Sequence, residues 1–177
     1  KNSFSNQNYL PYSVGLLQGY VQQHASPQDR YEFLLPIYCR MPVQNAVEQL
    51  LEADVVGFST YVWNIRISLE IAKTLKLKKP ETLIVFGGPH VPDRNETFLR
   101  EYPFIDLCCH GEGERVFFEI LENSATRNWE NIPSISFLRE DGSFVSRPRA
   151  ERIKDIAVIP SPYLEGVFDP LMRRFPE

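Results

Sequence analysis

Apolar positions along the chain follow two alternating periods. Leu10, Val14, Leu17 and Val21 recur every three to four residues, which predicts a helix with Pro11 accommodated in its opening turn. That helix ends near His24-Ala25-Ser26-Pro27, and Tyr31 to Tyr38 then reads as a strand that Pro36 confines to a sheet edge. Pro42 opens a second helix, with Val43, Ala46, Val47, Leu50 and Leu51 on the face that packs on a sheet. Asp54 to Thr60 reads as a buried strand. Asn64 follows as the cap of a helix whose apolar face is Ile65, Leu69, Ala72 and Leu75. Thr82-Leu83-Ile84-Val85-Phe86 is almost continuously apolar, as a parallel strand covered on both faces should be. A short helix around Glu96 to Glu101, a strand from Ile105 to Cys109 and a helix carrying Val116, Phe117, Ile120 and Leu121 complete the alternation.

This order predicts an α/β fold, a doubly wound flavodoxin-like (Rossmann-like) parallel sheet. Such a sheet ordinarily begins with a central strand. Lys1 to Asn8 is too polar for that role and reads as the loop after it, so the central first strand is expected upstream of Lys1. Beyond Asn131 the texture changes. Ile135-Ser136-Phe137-Leu138 and Phe144-Val145-Ser146 flank Glu140-Asp141-Gly142-Ser143, the signal of a β-hairpin. Arg147 to Glu177 is rich in proline, lacks a long period and reads as a linker. The expected organisation is therefore an α/β domain over residues 1–130, with a hairpin and linker over residues 131–177.

With 177 residues, 43% of them apolar and 24% charged, the chain can bury one main core. A formal net charge of -4 gives no basic field for nucleic acid. Lys73, Lys76, Lys78 and Lys79 read as a solvated helix end favoured by the macrodipole. No apolar run approaches the ~20 residues that cross a bilayer, and the N-terminus lacks a charged-then-apolar signal, so a reducing cytoplasm is the expected location. Cys39, Cys108 and Cys109 have no metal-ligand spacing, and the last two read as small hydrophobes in an apolar run.

In an open α/β sheet, ligands bind beyond the carboxyl ends of the strands. That rule selects four segments: Tyr9-Leu10-Pro11; Ser59-Thr60-Tyr61-Val62-Trp63-Asn64; Gly87-Gly88-Pro89-His90; and His110-Gly111-Glu112-Gly113-Glu114. Their glycines allow close backbone approach, Ser59 and Thr60 offer hydroxyls, and Tyr61 and Trp63 offer flat surfaces. Taken singly, each has a plain structural explanation. Gly-Gly makes a tight turn, Trp63 packs, the histidines are hydrogen-bonded loop residues, and Glu114 suits a first helical turn. Their convergence on one rim favours a binding site.

Tyr9-Leu10-Pro11-Tyr12-Ser13-Val14-Gly15-Leu16-Leu17, Phe58-Ser59-Thr60, Phe86-Gly87-Gly88-Pro89-His90 and Gly111-Glu112-Gly113-Glu114 carry a resemblance. In that order they are similar to the motifs of the B12-binding domain of cobalamin-dependent radical S-adenosylmethionine (SAM) proteins, over about residues 1–124. The resemblance implies cobalamin over the sheet, with Ser59 bonded to its nucleotide tail, Gly87 and Gly88 making room for the dimethylbenzimidazole, and Tyr61 and Trp63 near the lower corrin face. Tyr9, Leu10, Pro11, Thr60, Pro89, His90, Gly111, Glu112 and Gly113 complete the implied cofactor contacts. Valine at Gly87 or Gly88 is then expected to abolish corrinoid binding and leave the fold largely intact. The Asp-x-His-x-x-Gly motif that ligates cobalt in methionine-synthase-like domains is missing, so no protein metal ligand is assigned.

No Cys-x-x-x-Cys-x-x-Cys occurs either; the resemblance implies a [4Fe-4S] cluster and SAM in a barrel of the same parent chain, expected beyond Glu177. No catalytic residue is assigned here; the implied parent reaction is methyl transfer or a related radical step. Two alternatives stay open: a flavodoxin-like small-molecule domain and a docking domain, neither binding a corrinoid. A receiver domain is disfavoured, because Ser59-Thr60-Tyr61 supplies no phospho-acceptor Asp.

Overall fold

Three parallel strands and an antiparallel hairpin share one sheet in the computed structural model, which describes residues 3–4 and 7–174. A two-residue antiparallel pair, β1 (Ser3–Phe4) with β2 (Gln7–Asn8), leads into α1 (Tyr12–His24). Pro11 stands at the N-cap, where a missing N–H costs nothing. α2 (Val43–Leu50) begins in the same way behind Pro42. β3 (Val55–Ser59), β4 (Leu83–Gly87) and β5 (Leu107–Cys109) are parallel neighbours. α3 (Ile65–Lys78) and α4 (Glu96–Glu101) are the crossovers between them. α5 (Glu114–Glu122) follows β5, and the hairpin of β6 (Ile135–Leu138) and β7 (Phe144–Ser146) closes the order β3-β4-β5-β6-β7.

The hairpin extends the sheet rather than standing apart, since Cys109 pairs with Ile135 and Cys108 with Ser136 in antiparallel register. Its Asp-Gly turn puts Gly142 at φ +79°, a conformation that favours glycine.

Both faces of the sheet are covered, as the unbroken apolar strand β4 requires. Leu83 and Val85 pack with Leu107, Val116, Ile120 and Ile135 on the α5 face. Ile84, Phe86 and Cys108 pack with Ile65, Ala72 and Leu99 on the opposite face. Cys108 is fully buried, which pushes its thiol up to about 12 and keeps it neutral at physiological pH.

Four sequence expectations need correction. Tyr31 to Tyr38 forms no strand. A strand exists only when a neighbour accepts its ladder, and among the described residues none lies beside this segment or along the outer edge of β3. Ile37 instead packs with the α2–α3–Val56 cluster.

The lysines at the end of α3 are not all solvated. Lys76 Nζ donates to Thr82 O (2.7 Å) and to Asp106 (2.7 and 2.9 Å), and Lys79 Nζ donates to Ala53 O (2.9 Å).

Asn64 does occupy the N-cap of α3 but makes no side-chain cap bond. Its Oδ1 accepts from Tyr61 N (2.7 Å) and its Nδ2 donates to Ser59 O (2.9 Å), so it latches the loop after β3.

The proline-rich tail packs rather than trailing away. Pro160, Pro162 and Phe168 are buried against α1, and α6 (Asp169–Arg174) inserts the buried Leu171. A Cβ on Gly15 would stand 2.8 Å from Phe168 Cε1 and 2.9 Å from Pro162 Cβ, so α1 needs a bare backbone there. Among the described residues no helix is long and apolar enough to cross a membrane.

Candidate functional site

Because β3, β4 and β5 are parallel, the loops that follow them open on one rim. The first turn of α1 joins them there, with Ser13 Oγ 3.3 Å from Ser59 Oγ at the end of β3. Beyond Ser59 the Asn64 latch turns the chain so that Tyr61 stacks on Trp63, ring centroids 4.6 Å apart and planes within 10°. Trp63 is 64% exposed and Tyr9 is 62% exposed, a costly amount of aromatic surface to leave in water. Leu10 and Pro11 are half-buried in the approach to α1.

The two neighbouring glycines play different parts. Gly88 has φ +97°, and a Cβ on it would stand 2.7 Å from Thr60 O and 2.8 Å from Thr60 N. Its bareness therefore lets two loops of the protein touch. Thr60 is fully buried, and both its Oγ1 and its N–H donate to Gly87 O at 2.7 Å. Its hydroxyl faces the protein. A Cβ on Gly87 would meet only Cys109 Cβ, at an ordinary 3.6 Å, so the space in front of this residue stays open. Pro89 and His90 are exposed, and His90 N donates to Thr60 O (3.2 Å).

After β5 the chain turns through Gly111, at φ +79°, into Glu112 and Gly113, the N-cap of α5. The Glu112 carboxylate accepts from Ile153 N (2.8 Å), which ties this loop to the segment beyond the hairpin. Arg149 spans the same rim, ion-paired with Asp93 and close to Gly111. His110 turns inward, with Nε2 2.8 Å from Ser136 Oγ, and that hydroxyl also accepts from Asn95 Nδ2 (2.6 Å). His24 is likewise engaged within α1, Nδ1 lying 2.8 Å from Tyr20 O and its ring stacked on Tyr20.

The rim thus carries Ser59, Tyr61, Trp63 and Gly87 on neighbouring turns, and Thr60, Gly88 and Glu112 there also make contacts within the protein. Ser13 and Asn64 fall inside the segments the sequence marked, but sequence reasoning assigned neither a role in the site. Their signal was only positional: a serine in the first turn of a helix and an asparagine five residues after Ser59.

Burial, and next the Arg149 guanidinium, hold the His110 imidazole below its ordinary value of 6.5. The sign follows directly. The unfolded ring takes up a proton below about 6.5 that the folded ring resists, so this contribution is complete above that pH and is lost progressively on acidification. Thermal melts between about pH 8 and pH 5 should show an acid limb that flattens in His110→Gln. An identical limb in the variant would assign the acid sensitivity to other groups.

Residues 37–121 match the family model of the B12 binding domain. The chain is 39% identical over 166 residues to the cobalamin-dependent radical SAM methyltransferase TokK of Streptomyces tokunonensis, an alignment covering 91% of this chain and 24% of the relative. It is 37% identical over 163 residues to the 2-(S-pantetheinyl)-carbapenam-3-carboxylate methyltransferase of Streptantibioticus cattleyicolor, again across 91% of this chain and 24% of the relative. The chain thus spans about a quarter of the length of these curated relatives. Among solved structures, the cobalamin-dependent S-adenosylmethionine radical enzyme OxsB, with aqua-cobalamin and S-adenosylmethionine bound, superposes with a TM-score of 0.70 at 21% identity. That match covers 93% of this chain and 23% of OxsB and establishes a common fold.

Proposed function

We propose, from the fact that the chain belongs through residues 37–121 to the B12-binding domain family, that it holds the corrinoid of a larger radical SAM enzyme, one that transfers methyl groups. The observation that carries this reading is the rim: paired hydroxyls of Ser13 and Ser59, the exposed Tyr61–Trp63 stack and the open face of Gly87, all beside one another at the carboxyl ends of the strands. These groups fit a corrinoid, a flat apolar macrocycle with amide-bearing edges and a long polar tail. Stacked rings supply flat surface, hydroxyls supply bonds to the tail, and a bare glycine admits it.

When bound, cobalamin supplies cobalt-centred methyl chemistry, and the chain's own residues bind and orient it. Ser59 would donate to the nucleotide tail, Ser13 would position the Ser59 hydroxyl, and Tyr61 and Trp63 would keep water from the macrocycle. Tyr9, Leu10, Pro11, Pro89, His90, Gly111 and Gly113 line the approach. No histidine is assigned as a cobalt ligand: His24 and His110 are engaged elsewhere, and His90 stands in no Asp-x-His-x-x-Gly motif. The segment after the hairpin leads toward the radical SAM barrel, which carries the [4Fe-4S] cluster and binds SAM. A cytoplasmic location is part of the proposal, in keeping with three free cysteines among the described residues. The matched family and relatives favour this reading over a flavodoxin-like docking domain that binds no corrinoid.

Titration of the whole protein with hydroxocobalamin, followed by absorbance, tests the proposal. Binding is expected, and Ser59→Val should weaken it about tenfold by removing one polar partner of the tail. Electron paramagnetic resonance of the reduced, loaded protein should show no splitting from a protein imidazole. No binding at all by the whole protein would overturn the assignment.

A further inference from the structure

The family match ends at residue 121, yet the rim includes a contribution from much later in the chain. Phe168, 2% exposed, is seated against Gly15 of α1, beside Pro162. Tyr163 rests edge-on against Phe168, with centroids 5.2 Å apart and planes at 63°, and stacks on Tyr12 at 5.9 Å and 22°. Tyr12 is the first residue of α1, next to the Ser13 that reaches Ser59. The tail therefore delivers an aromatic ring to the place where α1 meets the loop after β3. The ring is held on two sides and still left 55% exposed, and Leu164 beside it is 87% exposed. A segment that only braced α1 would turn such residues inward, as Phe168 and Leu171 do.

We infer that Tyr12 and Tyr163 form a second aromatic wall of the corrinoid site, so that residues 160–168 are a cofactor-binding element of this domain. The inference rests on the corrinoid reading above. Two stacked tyrosines present flat apolar surface to a macrocycle and hydroxyls to the amides on its edge, the same chemistry that Tyr61 and Trp63 offer from the other side of the Ser13–Ser59 contact in chain order. Because Phe168 fixes Tyr163 before any ligand arrives, little ordering accompanies binding.

The test is the hydroxocobalamin affinity of the whole protein, wild type against Tyr163→Ala and Tyr163→Leu, with melting of the ligand-free proteins alongside. Tyr163→Leu keeps an apolar contact with Phe168 but loses the flat ring. Both variants should bind roughly three- to tenfold more weakly, with the leucine variant melting near wild type. Wild-type affinity in Tyr163→Leu overturns the inference and leaves the tail as a brace, whereas failure of the wild-type protein to bind overturns the corrinoid reading on which it rests.

Discussion

Gly88→Val should lower the melting temperature by roughly 4–20 °C and weaken corrinoid binding as a secondary effect. The φ of +97° costs any L-residue about 1–2 kcal/mol. The new Cβ would also stand 2.7–2.8 Å from the Thr60 backbone, and relieving that overlap costs about 1–3 kcal/mol more. Each kcal/mol is worth about 2–4 °C in a chain of this size. Gly87→Val is the matched comparison. Its Cβ meets only Cys109 Cβ at 3.6 Å, so melting should stay near wild type while the valine methyls fill the open space and abolish corrinoid binding. Thermal melts and hydroxocobalamin titrations of the two proteins separate the roles. A Gly88→Val protein that melts like wild type would show that the loop around Thr60 can move aside.

Asp106→Ala should be comparably damaging although it lies at the opposite end of the strands from the rim. The carboxylate accepts from Lys76 Nζ at 2.7 and 2.9 Å and from the backbone N–H of fully buried Ile84 at 2.7 Å. The two charged side chains are only 19% and 21% exposed. Alanine leaves the Lys76 ammonium with Thr82 O but without its counter-charge, and leaves the Ile84 N–H without that acceptor, a loss of about 2–4 kcal/mol. Asp106→Asn keeps an acceptor for Ile84 and should forfeit about half as much, again by thermal melting. An alanine variant as stable as wild type would mean that water replaces the carboxylate at both donors.

Those two residues also show how far a sequence can be read. Periodicity located α1, α3 and α5, and the uninterrupted run at residues 83–86 announced β4, because burial of one helical stripe or of both strand faces leaves a local imprint. Asp-Gly announced the hairpin for the same reason. The rim was legible as four segments. It was not legible that Gly87 faces open space while Gly88 is pressed against Thr60, since both read as the same dipeptide and the difference lies in a loop distant in sequence. Tyr31 to Tyr38 has the composition of a strand, but strand formation depends on a partner that composition does not supply. Asp106 was a missed signal. A lone carboxylate inside Phe104-Ile105-Asp106-Leu107-Cys108 asks for a cation, and Lys76 answers from α3. The packing of Pro160, Pro162 and Phe168 on Gly15 and Gly19 links opposite ends of the chain, a complementarity no local pattern records.

Among the described residues no strand lies along the outer edge of β3, and that bears on what the edge can accept. Val55-Val56-Gly57-Phe58-Ser59 offers a row of strand donors and acceptors with no lysine, proline or bulge to turn away a visitor. A strand laid along that edge would continue the ladder from β4 through β3 and cover the apolar run of Val55 and Val56.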